Sequence, residues 1–206
     1  MQLETLILLW ILFCVIHSGL IAVSTTRLLQ QWMGNFYRFF RLYYNIFSLI
    51  TFAALLVATY QTKSEPVFAW SGYLRLVQAF LILGAIVTLI VGAKSYNLNY
   101  VLGIEQIRNY QRETAKPDSP IVATGIHELV RHPWYSGVFI LLWAGDQTER
   151  SLIVNAIMSI YLIVGTFLEE RKLVLEFGTI YSDYQKQVSM LFPWKWLKTV
   201  MHFSHS

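Results

Sequence analysis

Five apolar stretches, residues 6–23, 42–60, 67–93, 133–145 and 151–168, limit what this chain can fold into before any single side chain is considered. A helix needs about 20 apolar residues to cross the hydrocarbon of a bilayer. Inside lipid a segment must satisfy its own backbone polar groups, so each stretch reads as a helix. The fourth is short and reads as a half-buried or tilted helix, joined to the fifth through the tight turn Asp146-Gln147-Thr148-Glu149. Composition points the same way: 55% of the residues are hydrophobic and 14% are charged, against about 25% charged in soluble domains. The predicted fold is all-α and integral to the membrane, one domain over residues 1–206. It has about five transmembrane helices, the last two forming a hairpin, followed by an amphipathic helix on the cytoplasmic side.

The placement of charge says more than its sum. A net charge of +4 is mild and gives no reason to expect a nucleic-acid partner. Thirteen of the sixteen basic residues fall in the loop after the first span (Arg27, Arg38, Arg41), in the connection 94–131 and in the tail after Glu170. Lys63 and Arg150 lie in loops on the other side. Positive loops stay in the cytoplasm, which predicts an outside N-terminus and a cytoplasmic connection and tail; the expected location is a prokaryotic inner membrane. With Glu4 and no basic leader, the N-terminus reads as a first span rather than a cleaved signal. The single Cys14 excludes an internal disulfide.

The connection 94–131 is the most polar part of the chain. Lys116-Pro117-Asp118-Ser119-Pro120 is a loop, because each Pro disfavours helix in the residue before it. In Arg131-His132-Pro133 the Pro suits a first helical turn, where its missing N–H would have no partner. His132 therefore stands at a helix entrance, near backbone N–H groups that favour an anion. Beyond Leu168, Leu173, Phe177, Ile180, Tyr184 and Val188 recur at helical spacing, and Trp194 and Trp196 beside Lys195 and Lys198 read as an interfacial anchor.

Charged residues at the edge of a bilayer are candidate chemistry. Arg131 and His132 can be a cytoplasmic flank with a helix cap, or a rim that holds a carboxylate or phosphate. Glu169 and Glu170 can be solvated charges, or partners for an ammonium, a ribose or a sulfonium. Trp134 and Tyr135 can belong to an aromatic belt or face a cation. Together they describe a site with anion-binding and cation-binding ends and aromatic walls. A zwitterion with an extra positive centre suits it, and S-adenosyl-L-methionine is one.

The order Arg-His-Pro-x-Tyr-x-Gly from Arg131, Glu-Glu-Arg-x-Leu from Glu169, Glu-Phe-Gly-x-x-Tyr-x-x-Tyr ending at Tyr184, then Val188 and Pro193, resembles isoprenylcysteine carboxyl methyltransferases and related phospholipid methyltransferases. The resemblance runs from about Tyr96 to Pro193. Upstream, His17-Ser18, Tyr43-Tyr44-Asn45 and Leu102-Gly103-Ile104-Glu105-Gln106 resemble methanethiol S-methyltransferase-like proteins and a group linked to denitrification. What it implies is a small membrane enzyme that uses S-adenosyl-L-methionine, with a cofactor region over about 94–193. By motif position Gln106, Ser119, Pro120, Ile121, Val122, His127, His132, Pro133, Trp134, Tyr135 and Glu169 would contact the cofactor. His127 stands where the family has a Tyr. Arg131, His132 and Glu170 would be the catalytic set, with Glu170 supporting the cofactor end or facing the acceptor.

The chain departs from the prenylcysteine enzymes at Gly165, where they carry an Arg that binds the substrate carboxylate. Glycine has no side chain to hold a carboxylate, which favours a smaller or neutral acceptor from the membrane, a thiol, carboxylate or lipid. Methyl transfer is an in-line displacement, so the protein chiefly aligns the reactants and excludes water. A thiol must also lose its proton, for which His132, His127 and Glu170 are candidates. The competing reading is a non-enzymatic haem- or quinone-handling membrane protein built on His17, His127 and His132. No two of these stand one helical turn apart on one helix. A transporter lacks the expected internal symmetry.

Overall fold

The computed structural model describes residues 2–109 and 124–203. Four helical stretches are long and apolar enough to cross a membrane: Leu3–Ile21, Val23–Gln61, Leu74–Ala93 and Glu149–Phe177. The chain is a multi-pass, all-α membrane protein. In order along the chain, the helices are α1 (Leu3–Ile21), α2 (Val23–Met33), a 3-10 turn at Gly34–Phe39, α3 (Phe40–Gln61), α4 (Leu74–Ala93), α5 (Leu98–Leu102) and α6 (Ile104–Arg108). After the undescribed segment come α7 (Ile126–Leu129), α8 (Pro133–Ala144), α9 (Glu149–Phe177), α10 (Thr179–Gln187) and α11 (Trp194–Phe203). Two short strands, β1 (Pro66–Phe68) and β2 (Gln147–Thr148), pair with one another.

The element bounds differ from the sequence reading in three places. The third apolar stretch becomes helical only at Leu74, since Pro66 and Val67 belong to β1 and Gly72 bends the chain with φ of 53°. The fourth, α8, has 12 residues, about 18 Å at 1.5 Å per residue. That is shorter than the ~30 Å hydrocarbon layer, yet α8 runs antiparallel along α4, from Gly92 beside Pro133 to Gln78 beside Ala144. The fifth continues past Leu168 to Phe177, where Gly178 breaks it with φ of 59°. A φ in that range suits glycine and strains any residue with a Cβ, so the helical periodicity after Leu168 is divided between α9 and α10.

The chain divides into two compact units. The first holds residues 1–67, 96–116 and 147–157. Here α1 and α3 pack through neutral groups: the buried Trp10 donates to Thr59 at 2.9 Å and meets Phe13 and Phe52 edge-on. Nearer the other end, His17 lies 3.1 Å from the Ser48 hydroxyl and 2.8 Å from that of Tyr44. Between these two polar contacts runs an apolar cavity of about 360 Å³, with Leu9, Phe13, Ile16, Phe47 and Leu55 among its walls. At the far end of α3 the carbonyls of Tyr60 and Thr62 accept from the Arg150 guanidinium. A cation is well placed there, at the negative end of the helix dipole.

The second unit holds residues 68–95, 117–146 and 158–206. Its centre is the packing of α4 on α8. A Cβ added at Gly137 would lie 2.7 Å from Leu89 Cγ and 3.1 Å from the Ala85 carbonyl, so the two backbones approach too closely for any larger residue. Small residues permit such approach between membrane helices, where packing replaces the hydrophobic effect as the driving force. The C-terminal end of α8 is tied back to α4: Gln78 donates to the Ala144 carbonyl at 3.0 Å, and Arg75 pairs with Asp146 at 3.3 Å. This clamps the short helix at one end and leaves its other end to carry the polar site.

Candidate functional site

The site is built within the second unit where three separate segments meet at the N-terminal end of α8. Pro133 occupies the first turn of the helix and His132 caps it, as the Arg-His-Pro order predicts. The backbone entering α8 is held by the segment after α10: Val130 and Ser189 form a parallel bridge, Arg131 N–H donates to Ser189 at 2.8 Å, and His132 N–H donates to Met190 at 3.1 Å. The Ser136 hydroxyl lies within hydrogen-bond reach of two carbonyls, His132 at 2.9 Å and Leu191 at 2.6 Å. Lys195 closes the opposite side, its ammonium donating to the Gln185 and Lys186 carbonyls. The polar backbone of this irregular stretch is thereby satisfied, which a membrane edge requires.

Into this frame α9 delivers Glu169 and Glu170. Glu170 is buried, with its side chain 7% exposed, and Arg131 opposite it is 8% exposed. Arg131 directs Nε and Nη2 at Glu170 Oε1, each at 2.6 Å, and its Nη1 donates to the carbonyls of Gln185 and Val188. The same carboxylate oxygen accepts from His132 Nε2 at 3.1 Å and lies 3.5 Å from the Tyr181 hydroxyl, while Oε2 accepts from Gln185 at 2.8 Å. A buried ion pair is sustained only when the remaining hydrogen-bonding groups also find partners, and here they do.

His132 is 4% exposed. Its ring stacks on Tyr135, with centroids 5.6 Å apart and planes at 4°. Burial pushes its pKa below the ordinary 6.5, against the upward pull of Glu169 and Glu170. Burial also raises the Tyr181 and Tyr184 hydroxyls, the latter to about 12. Tyr184 therefore stays protonated and donates to the His127 carbonyl at 2.7 Å.

The residues expected from the sequence are distributed unevenly. Arg131, His132, Pro133, Tyr135, Glu169 and Glu170 come together here. Arg131, read as an anion-holding rim, has its guanidinium engaged by Glu170 and two carbonyls. Glu169, whose side chain is 38% exposed, lies 3.8 Å from His132 Nδ1 at the open edge of the cluster. Trp134 is 37% exposed. His127 takes part through its backbone carbonyl. Gln106 lies in the first unit, where its amide donates to the Tyr100 carbonyl and its buried Oε1 has no hydrogen-bond partner among the described residues. Ser119, Pro120, Ile121 and Val122 lie outside the described residues. Gln185 and Ser136 join the cluster without having been singled out, while Tyr181, known only as part of a motif, and Lys195, read as part of an interfacial anchor, join it in roles not assigned to them. Tyr181 opens the Tyr-x-x-Tyr pair, and Gln185 follows it by one helical turn, so a polar face on α10 was the available signal.

Comparison with known proteins places these motifs in a family. The NnrU protein family matches residues 5–200. Methanethiol S-methyltransferase 1 of Bradyrhizobium diazoefficiens is 36% identical over 100 residues, covering 46% of this chain and 34% of the relative. Methanethiol S-methyltransferase of Pseudomonas deceptionensis is 36% identical over 94 residues, 45% of this chain and 36% of the relative. A protein of the same name from a Pseudomonas species is 27% identical over 187 residues, covering 88% of this chain and 70% of the relative. The match thus spans about a third of the length of the first two. No solved structure matches the chain.

Proposed function

The chain belongs to the NnrU family, and on that premise we propose that it is an integral-membrane, S-adenosylmethionine-dependent methyltransferase. The observation that carries this reading is the meeting of Arg131, His132, Glu169 and Glu170 in one cluster at the entrance of α8, although the two pairs are 38 and 39 positions apart in sequence. The ordered motif thus corresponds to one place in the molecule. The names of the relatives, methanethiol S-methyltransferases, agree with methyl transfer.

The donor set fits the cofactor. Glu169 offers a half-exposed carboxylate to an ammonium or sulfonium. When bound, the cofactor supplies an activated methyl group on a sulfonium. The protein's own part is to hold it, exclude water and align the acceptor. We read residues 1–206 as one methyltransferase domain, with the site and C-terminus in the cytoplasm and the N-terminus outside, in the inner membrane of a bacterium.

For the acceptor we propose a small or lipophilic thiol. Gly165 offers no side chain to a substrate carboxylate, and a Cβ placed there would meet nothing within 4 Å. The relatives' names point to a small thiol. The test is calorimetric titration of purified protein with S-adenosylmethionine, repeated with His132→Ala and Glu169→Ala. Binding by the wild type and its loss in both variants is expected. A wild type that does not bind, or variants that bind undiminished, would defeat the reading.

A further inference from the structure

Methylation of a thiol, the reaction proposed above and the one on which this inference rests, leaves a proton to be removed. Three residues are candidates by type: His127, His132 and Glu170. Geometry separates two of them. Glu170 Oε1 is engaged by Arg131 Nε and Nη2, by His132 Nε2 and by the Tyr181 hydroxyl, and Oε2 is engaged by Gln185. A carboxylate so surrounded has no oxygen left to meet an acceptor. Its contact with the ring determines the ring's tautomer instead. An ionised carboxylate can only accept, so the ring nitrogen against it carries the hydrogen. That assigns Nε2–H to His132 and leaves the lone pair on Nδ1. This nitrogen faces Glu169 Oε2 at 3.8 Å, too long for a direct hydrogen bond, on the side where the cluster opens. The stack on Tyr135 holds the ring plane.

We propose that His132 is the catalytic base, taking the acceptor's proton at Nδ1, and that Glu170 is the positioning residue that holds the ring in the Nε2–H tautomer. The S–H bond of the thiol breaks and its proton goes to Nδ1. The sulfur electron pair forms the new S–CH3 bond. The methyl group's former bond to the sulfonium breaks and its electron pair remains on that sulfur, now a neutral thioether. One positive charge thus passes from sulfonium to imidazolium, between Glu169 and Glu170, and the proton then leaves to water. The groups facing His132 are Glu169 and Glu170 from α9, Arg131 and Tyr135 from its own segment, and Tyr181 through Glu170 from α10. The two carboxylates favour the protonated ring, while burial and Arg131 favour the neutral form that must start the reaction.

Two measurements test this. The first is the 15N spectrum of histidine-labelled protein in detergent without cofactor, with the His132 signals assigned by their loss in His132→Gln. A pyrrole-type Nε2 and a pyridine-type Nδ1 at pH 8 are expected; the reverse assignment overturns the proposal. The second compares an alkanethiol, protonated at the assay pH, with an aromatic thiol already ionised there. General-base catalysis contributes at least about 100-fold, so in His132→Gln, assayed at saturating cofactor, the ratio of the alkanethiol rate to the ionised-thiol rate should fall on the order of 100-fold, whatever both rates lose together through weaker cofactor binding. Equal losses with both would make His132 merely structural and sink the base assignment. A wild type that transfers methyl to neither thiol overturns the thiol reading itself, and the base with it. A wild type that transfers but shows the reversed tautomer overturns only the inference made here.

Discussion

The α1–α3 pair and the entrance of α8 both place polar side chains against membrane helices, but with opposite chemistry. In the first unit α1 and α3 meet through neutral contacts, Trp10 with Thr59 and His17 with Tyr44 and Ser48. In the second unit a buried guanidinium meets a buried carboxylate, with a histidine and tyrosines around them. Neutral pairs within a membrane contribute little each, because an unfolded helix in lipid finds other partners. A buried charge that loses its partner has no such alternative. The first arrangement tolerates loss of a contact; the second behaves as a unit.

The sharpest way to break this contrast is Arg131→Ala, which leaves the Glu170 carboxylate buried beside no cation and should cost about 3–5 kcal/mol. Unfolding followed by tryptophan fluorescence in detergent measures it. A loss no larger than that of a neutral contact would refute the contrast. Next comes Gly137→Val, which forces a branched side chain into the space held by Leu89 and the Ala85 carbonyl and should cost about 1–3 kcal/mol; the same assay reports it. Tyr184→Phe removes the hydroxyl that donates to the His127 carbonyl and should cost about 1 kcal/mol. Tyr44→Phe, on the neutral side of the comparison, should cost only about 0.6 kcal/mol.

The smallest effect is read against pH, since the two carboxylates offset part of the burial at His132. Its folded pKa lies below the ordinary 6.5, so the unfolded chain takes up a proton before the folded one does. The resulting stability is complete above 6.5 and is lost as pH falls through the lower folded value. The melting temperature should decline over that interval in the wild type and decline less in His132→Gln. A larger decline in the variant would contradict the sign.

Much of this was legible in the sequence because apolar length and motif order are local signals. The helices at 3–21, 40–61 and 149–177 overlap stretches that their composition alone marked, and Pro133 announced where α8 begins. Other features are not local. The break at Gly178 interrupts a periodicity of 3 and 4 that runs unchanged through it, since spacing carries no record of φ. Pairing of Val130 with Ser189 depends on how α9 and α10 return the chain. For the same reason Arg131 looked free to bind an anion. Its partners lie 39, 54 and 57 positions away, and nothing in the neighbourhood of Arg131 declares them.

Those separations bear on how the protein is made. A chain emerging from the ribosome presents Arg131 long before Glu170, and Glu170 before Gln185 and Val188. Until the last of these arrives, the guanidinium must remain in water at the membrane surface, and the entrance of α8 cannot close over it. Completion of the site therefore waits until residue 188 has been made, and truncation anywhere before it yields helices without a finished centre.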